Sequence, residues 1–157
     1  MKIKVLNTGP TDIPFLREGI DHYVKRLAHY IPLEMICTPE IKAGRSASPD
    51  YIKEQEGNRI LRHLDGVDIA VLLDERGKKM TSAGFSEYLQ QYMNRGVRNL
   101  IFITGGAFGF SNAVYEHVSE RISMSSMTFP HQLIRLILLE QLYRAFTILK
   151  GESYHHN

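Results

Sequence analysis

Residues 67–79, VDIAVLLDERGKK, decide how the rest of the chain is read. Val67 to Leu73 is a continuous apolar run of strand length, the kind buried on both faces in a parallel sheet. Asp74 to Lys79 follows at once and reads as a charged loop. A second such run, Leu100 to Thr104, leads directly into Gly105-Gly106-Ala107-Phe108-Gly109. Two buried strands, each ending in a polar or glycine-rich loop, call for helices on both faces of the sheet.

Working outward, apolar runs and helical patterns alternate along the whole chain. Ile3–Leu6 is a short strand that stops at Thr8-Gly9-Pro10-Thr11-Asp12. Residues 14–30 carry Leu16, Ile20, Tyr23, Val24, Leu27 and Tyr30 on one helical stripe, and Pro32 closes them. Leu33–Thr38 is a strand and 39–49 a polar loop. Pro49 to Leu64 is a helix stopped by Gly66. Thr81 or Ser82 caps a helix to Asn94, ended by Gly96. Ser111 caps another to Arg121, Ile122–Ser126 is a last short strand, and Pro130 opens a final helix to Leu149. Five strands, each followed by a helix, predict one α/β domain spanning 1–157, with a mostly parallel sheet and helices on both faces.

Composition narrows the function classes. With 157 residues and 43% hydrophobic content the chain can build a normal core. A net charge of +2 permits an RNA or phosphate partner without requiring one. Cys37 is the single cysteine, which excludes an internal disulfide and a cysteine-based zinc cluster, and its apolar neighbours predict a buried position. No apolar run approaches a membrane span and the N-terminus does not read as a signal peptide, so a soluble, cytoplasmic protein without a metal is expected.

In open α/β sheets ligands lie beyond the carboxyl ends of the strands. Three loops meet that condition: the one after Leu73, Gly105 to Gly109, and Met124 to Pro130. The glycine spacing is not that of a dinucleotide fingerprint, and Gly77-Lys78 lacks the upstream glycine of a Walker A loop. Met124, Met127 and Phe129, with the hydroxyls of the same loop, suit a neutral or cationic heteroaromatic ligand better than a polyphosphate. Arg76, Lys78 and Lys79 stand beside that edge, where phosphates could be met. Arg135 lies on the apolar flank of the last helix, and a guanidinium there needs an acceptor. An intramolecular partner, a subunit interface and an active-site wall are all open readings.

The string Met127-Thr128-Phe129-Pro130-His131, Arg135, Glu140 to Phe146, Gly151 and Tyr154-His155 resembles the SPOUT (trefoil-knotted) methyltransferases that methylate N3 of a pseudouridine in bacterial large-subunit rRNA. Leu73-Asp74, Gly77-Lys78 and Gly105-Gly106 with Gly109 stand in the same order, and the likeness covers the whole chain. Pro10 replaces the lysine that often follows the first glycine, and His156-Asn157 replace the usual basic ending.

The resemblance implies a knotted α/β fold, a homodimer, S-adenosylmethionine as methyl donor, and 23S rRNA within the assembled ribosome as substrate. It implies a donor site of Leu73, Gly105, Gly106, Met124, Ser125, Ser126, Met127, Thr128 and Phe129. Substrate contacts are expected from Arg76, Lys78, His131 and Arg135, and catalytic assistance from Tyr154, His155 and Arg144. Because no separate RNA-binding domain is evident and the charge is low, recognition of an assembled particle is expected over binding of naked rRNA. Three other readings compete: a SPOUT enzyme acting on tRNA, a nucleotide-binding regulator without chemistry, and a dimeric interaction module.

Overall fold

The structure is a computed structural model, and it describes residues 1–39, 41 and 47–154. Ten elements follow one another: β1 (Lys2–Thr8), α1 (Pro14–Leu27), β2 (Leu33–Thr38), α2 (Pro49–Arg62), β3 (Ile69–Lys79), α3 (Ser82–Asn94), β4 (Asn99–Thr104), α4 (Asn112–His117), β5 (Glu120–Ser123) and α5 (Leu133–Lys150). The strands form one sheet in the order β2-β1-β4-β3-β5, and every pair is parallel.

Strand alternation divides the core in two. Ile3, Val5, Val71, Leu73, Leu100 and Phe102 turn to one face, where α1, α3 and α5 cover them. Leu6, Leu72, Ile101 and Ile103 turn to the other, against Ile60 of α2 and Phe110 and Val114 at α4. Each fully buried side chain of this size contributes about 1.5–3 kcal/mol relative to an exposed one. The central strands β1, β4 and β3 therefore carry most of the fold.

The expected elements are all present in the first half, with β1 longer at both ends and α1 and α2 ending at Leu27 and Arg62 instead of Tyr30 and Leu64, and larger changes come near the site. The charged segment 74–79 is the end of β3, not a loop: Leu73 and Lys78 both register with Ile122, and residues 74–77 bulge between them. Hydropathy hid this because Glu75 and Arg76 are exposed in the bulge and the segment carries no apolar alternation. The strand can return to β5 only at a glycine. A Cβ on Gly77 would sit 2.6 Å from the backbone N and C of Ile122.

α4 stops at His117 instead of Arg121, because Val118 turns to extended geometry and is buried under α2, and β5 begins at Glu120. α5 starts at Leu133, and the N–H groups of Leu133 and Ile134 donate to the carbonyl oxygen of Pro130. Cys37 is exposed, contrary to expectation, on the edge strand β2.

Arg135 is the largest fully buried side chain, at 0% exposure. Its Nη2 donates to the carbonyl oxygen of Thr8 at 2.6 Å, and its Nη1 donates to Thr11 Oγ1 at 2.7 Å. The intramolecular reading of this residue is the one observed, and a side chain without exposed surface offers no contact to a substrate. Burial pulls its pKa down, with Cys37 and Asp12 acting in the opposite sense. Arg135 thus fastens the start of α5 to the carboxyl end of β1.

Two outcomes are expected in urea denaturation. Arg135→Ala should lose about 3 kcal/mol, from a cavity plus an unpaired buried carbonyl. Gly77→Ala should lose roughly 1–3 kcal/mol by forcing β5 away from β3.

Candidate functional site

Three loops at the carboxyl edge of the sheet enclose a cavity of about 810 Å³. The floor is Leu73, where the β3 bulge begins, and Gly105, directly after β4. One wall is the segment from Gly106 to Phe110, and the opposite wall runs from Ser123 through Met124, Ser125, Met127, Thr128 and Phe129 to His131 and Ile134. Asp74, Glu75 and Arg76 form the rim.

The second wall is held by its own hydrogen bonds. Ser123 Oγ donates to the carbonyl of Ser125 at 2.7 Å, and the Met127 N–H donates to Ser125 Oγ at 2.8 Å. From outside, Lys79 Nζ donates to Ser126 Oγ at 3.1 Å, tying the loop to the end of β3. Ser126 therefore braces the wall from behind and does not line the cavity.

Below the floor lies a polar layer. Thr8 Oγ1 donates to the carbonyl of Thr104, and Thr104 Oγ1 donates to Asn7 Oδ1, both at 3.0 Å and both buried. With Arg135 these bonds fix the ends of β1 and β4 under the glycines. Arg135 Nε is buried and meets no partner among the described residues, while the Thr8, Thr104 and Asn7 bonds are made; buried polar networks of this kind rigidify a site.

The glycines leave room that side chains would take. A Cβ on Gly105 would touch Phe110 and Gly109 at 3.3–3.4 Å, and one on Gly106 would press on the Glu56 carboxyl at 2.4–2.8 Å. Glu56 Oε2 is buried and meets no hydrogen-bond partner among the described residues. Desolvation raises the Glu56 pKa, against the pull of Arg59.

Rim and wall carry contrasting charge states. Burial pushes the Asp74 carboxyl up, but hydrogen bonds from Tyr115 and from the Arg76 backbone and guanidinium outweigh it, so its pKa lies below the usual value. For His131, desolvation and then the Arg135 charge lower the pKa, with Asp12 opposing. The imidazole at the cavity wall is therefore neutral at pH 7.

The structure does not bring the tail residues to this cavity. α5 has 18 residues, about 27 Å of helix, and its amino end faces the cavity through Ile134. Beyond Gly151 the chain folds back: the Tyr154 hydroxyl donates to Glu140 Oε1 at 3.2 Å and lies 3.3 Å from the Tyr23 hydroxyl. Arg144 donates to the same Glu140 oxygen at 2.6 Å and lies over the Tyr154 ring at 4.9 Å. Burial, then the bonds to Tyr23 and Glu140, push the Tyr154 pKa up, so its phenol stays protonated. His155 lies outside the described residues. Lys78 is exposed on β3 beside the cavity without lining it.

Sequence reasoning missed Tyr115, Lys53, Phe110 and Asn112 as lining residues, and Glu56 behind the glycines. They come from α2, α4 and the segment leading into it, and only packing brings them to the edge. Asp74 had a signal, its place directly after a buried strand.

A family model described as predicted SPOUT methyltransferase matches residues 1–155. The chain belongs to the SPOUT methyltransferase family. It is similar over 156 residues to proteins named ribosomal RNA large subunit methyltransferase H: 51% identical to that of Parabacteroides distasonis, covering 99% of both chains. The protein of that name in Cytophaga hutchinsonii is 47% identical, covering 99% of this chain and 100% of the other. Among solved structures, a probable methylase family protein from Haemophilus influenzae shares the fold with a TM-score of 0.56 at 8% identity, covering 99% of this chain and 70% of that one.

The protein is thus a methyltransferase that takes its methyl group from S-adenosylmethionine. The cavity fits such a donor: bare backbone at Gly105 admits a flat ring, the walls combine Met124, Met127 and Phe129 with the hydroxyls of Ser125 and Thr128, and the neutral His131 adds no positive charge to repel a sulfonium.

The raised pKa of Glu56 has a checkable sign. A folded-state pKa above the unfolded one leaves stability intact below the unfolded value and removes it as pH rises through the folded value. Glu56→Gln should therefore melt close to wild type near pH 4 and above it near pH 8 in thermal scans.

Proposed function

We propose that this enzyme methylates N3 of a pseudouridine in bacterial 23S rRNA, acting in the cytoplasm as a homodimer on the assembled ribosome. The observation that carries the substrate is the 51% identity, over 99% of both chains, to a protein named ribosomal RNA large subunit methyltransferase H. The likeness also implies a trefoil knot in the carboxyl-terminal part, with the Met124–Phe129 loop around the donor. Leu73, Gly105, Gly106 and that loop would hold the donor, with Ser126 as a brace.

When bound, S-adenosylmethionine supplies an electrophilic methyl group. The protein's part is then to align the acceptor nitrogen and to receive its proton. N3 of the base is a weakly acidic imide and a poor nucleophile while protonated. Asp74 is ionised and His131 neutral, so each is a proton acceptor at the cavity. A protonated Tyr154 suits donation to a base oxygen, which stabilises the anion as the N3 proton leaves. Arg144, with His155, would orient the same base.

Geometry argues for two chains. Tyr154 and Arg144 meet at Glu140, which stands six residues, about 9 Å of helix, along α5 from Ile134 at the cavity, and none of the three lines it. This separation supports a dimer in which one chain's tail completes the partner's cavity.

Purified protein with labelled S-adenosylmethionine should form 3-methylpseudouridine on ribosomes lacking the modification, read by nucleoside mass spectrometry, and little on free rRNA or tRNA. Transfer to tRNA alone would refute the substrate. Tyr154→Phe should lower kcat roughly tenfold or more with donor affinity kept. Mixing a Tyr154→Phe chain with a Gly105→Leu chain should restore part of the activity if tails act across the dimer; no recovery, with mixed dimers confirmed by native mass spectrometry, would put the tail in its own subunit's site.

A further inference from the structure

Beside the cavity mouth two guanidiniums converge on one aromatic ring. The Tyr115 hydroxyl donates to Asp74 Oδ2, whose side chain is only 5% exposed, and accepts from Arg76 Nη2 at 2.7 Å. Arg76 lies 5.1 Å and Arg121 5.3 Å from the Tyr115 ring centroid. The three residues come from the β3 bulge, from α4 and from β5, so the arrangement is tertiary. Both cations are attracted by the Tyr115 ring, and Arg76 is held by Asp74 as well.

The charges around this cluster do not cancel. Asp74 balances one guanidinium. Glu120, next to Arg121, points to the opposite sheet face, where its carboxylate accepts from Tyr88 and Tyr92. Glu75, next to Arg76, accepts from Thr128 at 3.5 Å. Neither Arg121 nor Lys79 has a carboxylate within salt-bridge distance among the described residues. Arg76 is 65% exposed at its side chain, and Arg121 is exposed.

β5 is an edge strand, and a charged residue there has a simpler use in discouraging strand addition. That use is met by a solvated side chain. It gives no reason for the guanidinium to lie on Tyr115 beside a second one at the mouth of the cavity.

We propose that Arg76 and Arg121, set by Tyr115, form a seat for a backbone phosphate of the RNA strand whose nucleotide enters the adjoining cavity. The proposal rests on the RNA substrate argued above and names residues that would hold it. Guanidiniums match phosphate oxygens in geometry and charge, and such contacts fix register without reading sequence. Tyr115 is a positioning residue: its hydroxyl orients Arg76 and its ring orients Arg121. Lys79, on the same strand as Arg76, extends the basic rim toward Ser126.

The test measures co-sedimentation with bacterial 70S ribosomes over a graded KCl series, alongside methyl transfer and donor binding by calorimetry. Arg121→Ala should keep donor affinity, weaken ribosome binding roughly tenfold, and lower the salt slope by about one. Arg76→Ala should weaken ribosome binding by a similar factor. Tyr115→Phe should fall between wild type and Tyr115→Leu, since it keeps the ring and loses the hydroxyl. Arg121→Ala binding ribosomes with wild-type affinity and salt slope would overturn the seat. Wild type without methyl transfer, but with ribosome binding that Arg121→Ala weakens, would keep the seat and reject the proposed nucleotide target.

Discussion

The buried guanidinium of Arg135 is the tie on which the site depends. Its bonds to the Thr8 carbonyl and to Thr11 join the amino end of α5 to the carboxyl end of β1. The Asp12 N–H donates to Gln132 Oε1 at 3.1 Å and strengthens the same junction. The loop from Ser123 to Pro130 is thereby anchored at both ends, by β5 on one side and by Arg135 on the other. A cation without a buried carboxylate partner is an expensive anchor. Its bonds to a main-chain carbonyl and a hydroxyl are what make the position tolerable, and they fix α5 in one place.

A second constraint is the contact of bare backbone at Gly77 with Ile122. It lets β3 bulge at 74–77 and still return to β5. The bulge presents Asp74, Glu75 and Arg76 at the cavity rim, while β3 continues to hold the sheet together. Bulges are a common way to re-aim side chains next to a site. The cavity thus has a rigid floor of strand ends and glycines, one wall of internally bonded loop, and a charged rim.

The tail follows different physics. It is held by aromatic contacts and shared hydroxyls: Tyr154 packs edge-on against Tyr143 at 4.8 Å, with Arg26 4.1 Å from the Tyr143 ring and 5.4 Å from that of Tyr154. Tyr143 is part of the core, but Tyr154 is only half-buried against it and residues 151–153 are exposed, so this segment has one packed ring where α5 has many buried side chains. A segment held this way can exchange partners more readily than the cavity walls can.

The apolar runs at 67–73 and 100–104, the helical stripes between them and the stop signals at Gly66 and Gly96 were enough to determine a parallel α/β domain. The ordering of its three edge loops and the motif at 127–131 were enough to name the family. These are local signals, written in hydrophobic period and in residue strings. The sequence could not show that 74–79 is a strand with a bulge, because its charges read as a loop and only pairing with Ile122 reveals otherwise. Nor could it choose among the readings of Arg135, since its acceptors stand 124 and 127 residues away. Glu56 behind Gly106, Tyr115 on Asp74, and Tyr154 away from its own chain's cavity were likewise decided by tertiary structure. In each case the deciding contact joins segments distant in the chain, and its energy exists only once the sheet and helices have packed.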